Sequence, residues 1–451
     1  MKTTQTTLAA VFGLIFSGAA TAAALNWVPA QAGDLHADTV VPAKEVAGFA
    51  APLAAGAKEA VSVSWPVQAA GNASLVAAAA PSQHPLVESR EAYRKVTGRE
   101  LNAGVEITTT QTRALVRLQA LSATGAREQQ SINPQYLTVT PAGGKALTNG
   151  EAMEMLVSPE RMAKSGLPFA SGTSAFRLHG NLGAGKLKLQ ASGLDENAEY
   201  MLNIVEKDSP VVFELRTEAS EHRHGDVLTV HASIREHGAT AQPGKIRAVL
   251  VAPSGREYPL SFKPGKQGLS AQLALDAREQ TQPGLWEVRA HAARGEVERF
   301  ARLAFPVMLP TARLAGEADL RTANDGALTV ALGVQAGSGG RYQVRGTLYG
   351  MIGGAMQPIA TADSARWLDA GRGQIGLAFD AGLLANASGP FELRDVSLHD
   401  QGRLTVLHRQ ALAAQLDAGD LKRAGFVARQ GVAAQSAGSF GMRISKPDAV
   451  E

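Results

Sequence analysis

The nine residues GLWEVRAHA (284–292) decide the fold class of this chain. In an extended chain, alternate side chains point to opposite faces. One face of this stretch is apolar and the other is polar, with Trp286, Val288, Ala290 and Ala292 on the first and Glu287, Arg289 and His291 on the second. That period of two predicts a half-buried β-strand. Trp286 is one of four tryptophans, so we expect it to anchor the core of a sandwich.

Strands of the same kind, separated by turn residues, lie on both sides of this stretch. Between residues 219 and 308, alternation predicts strands at 227–234, 246–251, 258–262, 269–275, 285–292 and 298–305. Short strands with regular turn signals over roughly a hundred residues are typical of an immunoglobulin-like (Ig-like) sandwich. The sequence therefore predicts a mostly β chain of tandem β-sandwich (Ig-like) domains with short helical insertions.

The chain has 451 residues, enough for about three domains. Its composition and strand pattern divide it into a signal peptide (1–24), an Ala/Pro/Gly-rich leader (25–88), an N-terminal β-rich domain (89–218), an Ig-like β-sandwich (219–308), a C-terminal β-sandwich (309–416) and a flexible tail (417–451). The leader is predicted to be mobile, and it carries one β-like piece, residues 61–67, that can dock on a later domain.

Two short helices are predicted from their capping residues. Ser89 is a favourable N-cap for a helix over residues 91–97. Ser158 followed by Pro159, with Gly166 as the terminator, predicts a second helix inside the N-terminal domain.

The N-terminus has the pattern of a secretory signal. Lys2 gives a positive start, residues 8–16 form an apolar core, and the small residues of Ala20-Thr21-Ala22 fit a cleavage site. The alternative is an anchor helix, but this apolar core is much shorter than the ~20 residues that a membrane span needs. We therefore expect export to the periplasm or the medium, with no integral membrane segment after signal cleavage.

Cysteine content and charge exclude several classes of function. The chain has no cysteine, so it has no disulfides, no acylated cysteine anchor and no cysteine nucleophile. Its formal charge is +3, and charges of both signs are interspersed without a block of Lys and Arg. We therefore expect no nucleic acid partner. No cofactor is predicted either.

Four further stretches carry a resemblance to a known kind of protein. They are AYRKV (92–96), LNAGV (101–105), PGLWEV (283–288) and GPFELRDV (389–396). In this order they resemble an uncharacterised secreted bacterial multi-β-sandwich family, a domain of unknown function with an Ig-like middle domain. The resemblance implies export and several sandwiches, without an established activity. Relatives often carry an Asp/Gly-rich loop that could hold calcium ahead of the Pro-Gly strand, but the corresponding loop here, residues 276–281, has few oxygen ligands, so calcium is not predicted.

A glycine-rich stretch, GNLGAGK (180–186), matches most of a phosphate-binding loop. Such a loop needs Ser or Thr next and then a helix, whereas Leu187 follows here and residues 186–189 alternate like a strand. The stretch is therefore predicted to be a hairpin between two strands.

Histidines give the candidate metal site. Of the ten histidines, His222, His224, His231, His237 and His291 are concentrated in one part of the chain. His222 and His224 can lie on one face of a strand with Asp226 nearby, and zinc or copper accepts such ligands. No third ligand is fixed by spacing, and a solvated loop between domains explains the same residues. His222 and His224 are the candidate metal ligands.

Enzyme signatures are missing from the sequence. It contains no Gly-x-Ser-x-Gly, Ser-x-x-Lys or His-Glu-x-x-His motif, although a carboxylate pair for glycoside hydrolysis would carry no motif. Tyr342, Tyr349 and Trp367 could form an aromatic binding surface, but Val344 and Leu348 share the register of Tyr342 and favour a core position. No catalytic residue is predicted.

The sequence thus favours an exported, non-enzymatic protein that acts as an interaction or structural module. Its expected partner is an unknown protein or an envelope polymer such as peptidoglycan or polysaccharide. The alternative is a metal-binding factor or envelope hydrolase that uses the histidine cluster of residues 222–237.

Overall fold

The computed structural model describes residues 23–45, 58–67, 85–121, 131–241, 243–265, 268–278, 284–426 and 442–444. The predicted signal peptide falls almost wholly outside them. The described residues from 85 to 309 form one compact unit, and those before 68 together with those from 310 onward form another. The protein is mostly β and is built from antiparallel sheets, as predicted. None of the helices in these ranges is long and apolar enough to cross a membrane.

Among the described residues before 70, the strands are β1 (Ala23–Ala24), β2 (Asn26–Trp27) and β3 (Val61–Pro66). The first part of the 85–309 unit contains β4 (Leu86–Ser89), β5 (Glu91–Thr97), β6 (Val105–Thr109), β7 (Leu115–Ala120), β8 (Thr138–Pro141), β9 (Leu147–Thr148), β10 (Met153–Val157), β11 (Thr173–Leu178), β12 (Gly185–Gln190), β13 (Glu199–Val205) and β14 (Val211–Thr217). Its helices are α1 (Gly98–Ala103), α2 (Asn149–Ala152) and α3 (Pro159–Ala163).

Two of its sheets share one apolar core. Their strand orders are β10-β11-β7-β13-β5 and β6-β12-β8-β9. Inward side chains of both sheets, among them Val116, Leu118, Leu189 and Leu202, belong to one buried cluster. Helix α3 lies where it was predicted, because Ser158 caps it by accepting a hydrogen bond from the backbone N–H of Arg161.

The predicted helix over residues 91–97 is wrong. These residues form β5, which pairs with β13, and the helix α1 begins one residue later. Thr97 is its N-cap, since the side chain of Thr97 accepts from the backbone N–H of Glu100 and the Glu100 carboxylate accepts from that of Thr97. The capping box at Thr97, which the sequence analysis missed, sets this boundary instead of Ser89.

The rest of this unit is the Ig-like part. Its strands are β15 (His222–Arg223), β16 (Val227–Glu236), β17 (Ala239–Ala241), β18 (Lys245–Val251), β19 (Glu257–Leu260), β20 (Lys263–Gly265), β21 (Gly268–Ala274), β22 (Trp286–Arg294), β23 (Val297–Phe305) and β24 (Val307–Met308). One sheet has the order β20-β21-β16-β14-β4 and the other β19-β18-β22-β23. Strands β4 and β14 precede residue 219, and alternation alone does not reveal which sheet a strand joins.

The deciding stretch forms β22, and its register is confirmed. Trp286, Val288, Ala290 and Ala292 are buried, whereas Arg289 and His291 are exposed. The ring of Trp286 stacks against Tyr258, with 5.9 Å between ring centroids. The tryptophan is therefore a core anchor.

The second unit is also built from two sheets. After residue 310 its elements are β25 (Ala312–Thr322), β26 (Leu328–Ala336), β27 (Gly340–Ile352), β28 (Ala355–Leu368), β29 (Gly371–Phe379), β30 (Ser388–Asp400), β31 (Thr405–Leu416), helix α4 (Ala418–Arg423) and β32 (Met442–Ile444). The sheet orders are β1-β25-β26-β29 and β2-β31-β30-β27-β28-β3-β32.

Two terminal segments join these sheets. The docking strand predicted at residues 61–67 is confirmed, because β3 pairs with β28. The expectation of a flexible tail over residues 417–451 is wrong for α4, which Asp417 caps by accepting from the backbone N–H of Asp420. This capping box lies in a segment whose small residues favour a flexible chain, and it stabilises a helix there.

We expect Trp286→Ala to lower the free energy of unfolding by ~3–5 kcal/mol, because removing a buried ring leaves a cavity. Urea unfolding followed by circular dichroism measures the loss. Leu285→Ala is the matched control, since Leu285 is 57% exposed whereas Trp286 is 2% exposed. The control should change stability by no more than about 0.5 kcal/mol. Equal stability of the two variants would show that the Trp286 ring does not hold the core.

Candidate functional site

A cleft with a volume of about 1110 Å³ lies in the 85–309 unit. One wall is the outer face of the sheet that contains β5, β7 and β13. The other wall is the outer face of the Ig-like sheet that contains β18, β22 and β23. The first wall contributes Tyr93, Lys95, Arg117, Gln119, Met201 and Asn203, and the second contributes Lys245, Arg247, Arg289, His291, Phe300 and Arg302.

Strand register arranges the Ig-like wall in rows. Arg247 on β18 lies opposite His291 on β22, which lies opposite Phe300 on β23. In the next row, Arg289 lies opposite Arg302. Because side chains alternate along each strand, Arg289 and His291 of the deciding stretch face the cleft while its apolar residues fill the core.

The facing wall has a row of its own. Asn203 on β13 lies between Tyr93 on β5 and Arg117 on β7. The Arg117 guanidinium donates to the Asn203 side-chain oxygen at 2.7 Å, and the Asn203 amide donates to the Glu91 carboxylate at 3.1 Å. These hydrogen bonds hold the guanidinium in a defined orientation on the wall.

Aromatic rings connect the two walls. The Tyr93 ring centroid is 5.0 Å from that of Phe300, and the His291 ring centroid is 4.6 Å from that of Phe300. Desolvation in the cleft lowers the pKa of His291, and Arg247 lowers it further, while Glu298 opposes both. We refer to Tyr93, Phe300 and His291 as the aromatic floor.

Charge in the cleft is strongly unbalanced. Its described lining contains Arg94, Lys95, Arg117, Lys245, Arg247, Arg289 and Arg302, against the single acidic residue Glu298. Three of the cations pair with carboxylates, since Lys95 contacts Glu199, Arg117 contacts Glu91, and Arg289 contacts Glu287.

The remaining positive charge is concentrated on the Ig-like wall. Within the described ranges, Lys245, Arg247 and Arg302 have no carboxylate at ion-pair distance, and all three are exposed. A concave surface lined by one sign of charge concentrates counter-ions. This arrangement can attract and hold an anion.

A buried ion pair lies beneath the cleft. The Arg299 guanidinium on β23 is 2.7 Å from the Glu206 carboxylate, which follows β13, and both side chains are 1% exposed. Arg299 also donates to the hydroxyls of Thr110 and Ser209 and to the backbone carbonyl of Val211. Burial lowers the pKa of Arg299, and Glu206 acts in the opposite direction.

Glu206 is equally well satisfied. Its carboxylate accepts from the backbone N–H of Thr110 at 2.5 Å, from that of Gln111 at 3.1 Å and from the Thr110 hydroxyl at 3.1 Å. The pair therefore fixes β23, a strand of the Ig-like wall, to the loops at the ends of β6 and β13. Sequence reasoning missed it, although Arg299 shares the buried register of Ala301 and Leu303.

The two candidate metal ligands, His222 and His224, lie in different environments. His222 is buried, its ring centroid is 4.8 Å from that of Phe305, and its Nε2 atom has no hydrogen-bond partner. His224 accepts at Nδ1 from the backbone N–H of Ala277. Over the described ranges, no three His, Asp or Glu side chains are placed to hold a metal ion. Metal binding by His222 and His224 stays a prediction.

The structure also places the glycine-rich stretch and the residues of the predicted aromatic surface. The glycine-rich stretch forms a 3₁₀ turn, Gly180–Leu182, between the strands β11 and β12, but these strands belong to different sheets, so the predicted hairpin is wrong. Tyr342 is fully buried and donates its hydroxyl to the carbonyl of Ser338, which confirms its core position. Tyr349 and Trp367 are half-buried.

Comparisons with known proteins give a family match. The model of the N-terminal domain of a domain of unknown function, DUF4785, matches residues 53–206, and that of its C-terminal domain matches residues 311–417. Together these matches cover more than half of the chain. No curated protein matches the sequence.

Solved structures agree on the fold. The crystal structure of a DUF4785 family protein from Legionella pneumophila is 19% identical, covers 84% of this chain and 99% of its own, and has a TM-score of 0.61. A tandem repeat of a large adhesion protein (12% identical, 74% of each chain) and a titin fragment (10% identical, 74% and 97%) both have a TM-score of 0.18. The similarity to the Legionella structure is one of fold.

We expect acid to destabilise the protein partly through His222. Burial lowers the pKa of His222 in the folded state. The unfolded chain therefore binds the proton more readily, so stability is complete above pH ~6.5 and falls as the pH decreases below it. The thermal midpoint of His222→Leu should fall less between pH 7.5 and pH 5.5 than that of the wild type.

The matched control for this measurement is His237→Asn. His237 is exposed in a turn with a φ of 50°, a conformation that asparagine adopts readily. Its pH dependence should equal that of the wild type. An identical fall of the midpoint in His222→Leu and the wild type would show that His222 is not protonated on unfolding.

We expect Arg299→Met to lower the free energy of unfolding by ~3–5 kcal/mol, because it leaves the Glu206 carboxylate buried without its cation. The double variant Glu206→Gln/Arg299→Met should recover part of this loss, since glutamine can still accept from the backbone amides. Urea unfolding of both variants and of Glu206→Gln completes the cycle.

Arg302→Met, an exposed arginine on the same strand, is the control and should change stability by no more than about 0.5 kcal/mol. If the double variant were no more stable than Arg299→Met, the loss of stability would come from packing around the arginine and not from the unpaired charge on Glu206.

Proposed function

The chain belongs to the DUF4785 family, and from its cleft we propose that it is an exported, non-enzymatic protein that binds an anionic polymer of the cell envelope. The observation that carries the proposal is the excess of positive charge in the cleft, where Glu298 is the one acidic residue of the described lining. Export is supported by the signal pattern of residues 1–24.

The distribution of positive charge in the cleft favours a polymer over a small metabolite. Pockets for small molecules usually have volumes of ~300–1,000 Å³. The cleft, at about 1110 Å³, is at the upper end of this range, and its cations are spread over both walls. A ligand with several negative charges along its length fits this distribution.

Both walls consist of paired strands, and the Glu206–Arg299 pair holds one of them in place. A preformed site loses little conformational entropy on binding, which favours recognition by a rigid surface. Near the cleft, the carboxylates of Glu91, Glu199 and Glu287 pair with its cations. These features support a binding role, and the lack of hydrolase motifs in the sequence supports the non-enzymatic part of the proposal.

We expect the double variant Arg247→Ala/Arg302→Ala to bind a polyanion more weakly than the wild type. Dextran sulfate is a suitable probe, and biolayer interferometry at several salt concentrations gives its affinity. Two exposed charge contacts of ~0.2–1 kcal/mol each correspond to a loss of about 2- to 30-fold. Affinity should also fall with salt, and less steeply in the variant.

The matched control, Lys145→Ala/Lys207→Ala, removes two exposed positive charges outside the cleft lining. It should bind like the wild type. Equal losses in the two double variants would indicate a general charge effect, and no binding of the probe to the wild type at low salt would refute the cleft as an anion site.

A further inference from the structure

We propose that the bound polymer is an acidic polysaccharide, whose sugar rings pack on the aromatic floor while its anionic groups pair with the arginines of the Ig-like wall. This inference rests on the proposed function and adds the class of ligand. The supporting observation is that the aromatic floor and the side chains of Arg247, Arg289 and Arg302 line the same cleft.

Register sets the distances within this arrangement. Neighbouring strands lie about 4.8 Å apart, and residues two apart on a strand are separated by about 6.8 Å. Phe300, His291 and Arg247 form one row across three strands, and Arg302 and Arg289 lie in the adjacent row. A carboxylate attached to a sugar ring can therefore reach a guanidinium in the same row or the next while the ring lies on the floor.

Polar groups on the opposite wall suit the hydroxyls of a sugar. Gln119 lines the cleft beside Met201, and its amide has no hydrogen-bond partner among the described residues. An amide both donates and accepts, as a hydroxyl does. This wall can thus bind the edge of a ring whose face packs on the aromatic side chains.

Rings distinguish this ligand from an acidic peptide. A polyglutamate chain pairs with the arginines but has no ring to place on Tyr93, Phe300 or His291. Single-stranded nucleic acid has both negative charges and rings, because its bases stack on aromatic side chains. The expected export of the chain favours the saccharide, and the experiment separates the three polymers.

The test compares polygalacturonate, poly-L-glutamate and oligothymidylate of equal charge number in binding to the full-length protein. We expect the wild type to bind polygalacturonate about 10-fold or more tightly than either other polymer. Phe300→Leu keeps the apolar volume and removes the ring, and it should weaken binding of polygalacturonate by about 2- to 12-fold without affecting polyglutamate.

A second variant of the aromatic floor and a control variant outside the cleft complete the test. His291→Gln changes an exposed floor residue, so it should fold normally even if Phe300→Leu does not, and it should show the same selective loss. Tyr136→Leu removes a ring that is 72% exposed and is not part of the cleft lining. It should bind all three polymers like the wild type.

Each contrary result has a separate meaning. Equal affinity for polygalacturonate and polyglutamate, with both floor variants unchanged, would overturn the saccharide and leave an anion-binding cleft. A preference for oligothymidylate would overturn it in favour of nucleic acid. No binding of any of the three would overturn the proposed function as well.

Discussion

The cleft depends on the burial of Glu206 with Arg299. Removing two charges from water costs several kcal/mol per ion, and their attraction offsets this cost only when the remaining donors and acceptors are satisfied. Here Thr110, Ser209 and Val211 satisfy the guanidinium, while two backbone amides satisfy the carboxylate. These hydrogen bonds form only when the two side chains and their partners are held in defined positions. Their contribution is therefore to fix β23 against the neighbouring sandwich, which places one wall of the cleft.

The strand that specifies the fold also builds the site. On β22 the apolar register places Trp286 in the core, and the polar register places Arg289 and His291 in the cleft. A shift of one residue in the pairing would exchange the two faces. The same hydrophobic pattern that secures the register therefore secures the position of the cations, and folding and recognition impose compatible demands on this strand.

Local signals in the sequence predicted local structure well. The alternation in β22 and the cap at Ser158 identified their elements, because both signals act over a few residues. The strand β5 was mistaken for a helix, since the capping box at Thr97 begins only at its end. The cleft was not predicted, because its cations come from β5, β7, β18, β22 and β23, which only the fold brings together. Arg299 did carry a signal, as a charged residue in a buried register.

The net charge of +3 does not reveal that positive charge is concentrated in the cleft. Acidic residues balance the chain as a whole, yet the described lining of the cleft has one acid among its cations. Because the chain has no cysteine, no disulfide joins the sandwiches of the 85–309 unit, and the buried pair and the Tyr93–Phe300 contact are among the side-chain contacts between them. A polyanion that contacts both walls acts across the same junction. Its binding energy then adds to the stability of the unit by mass action.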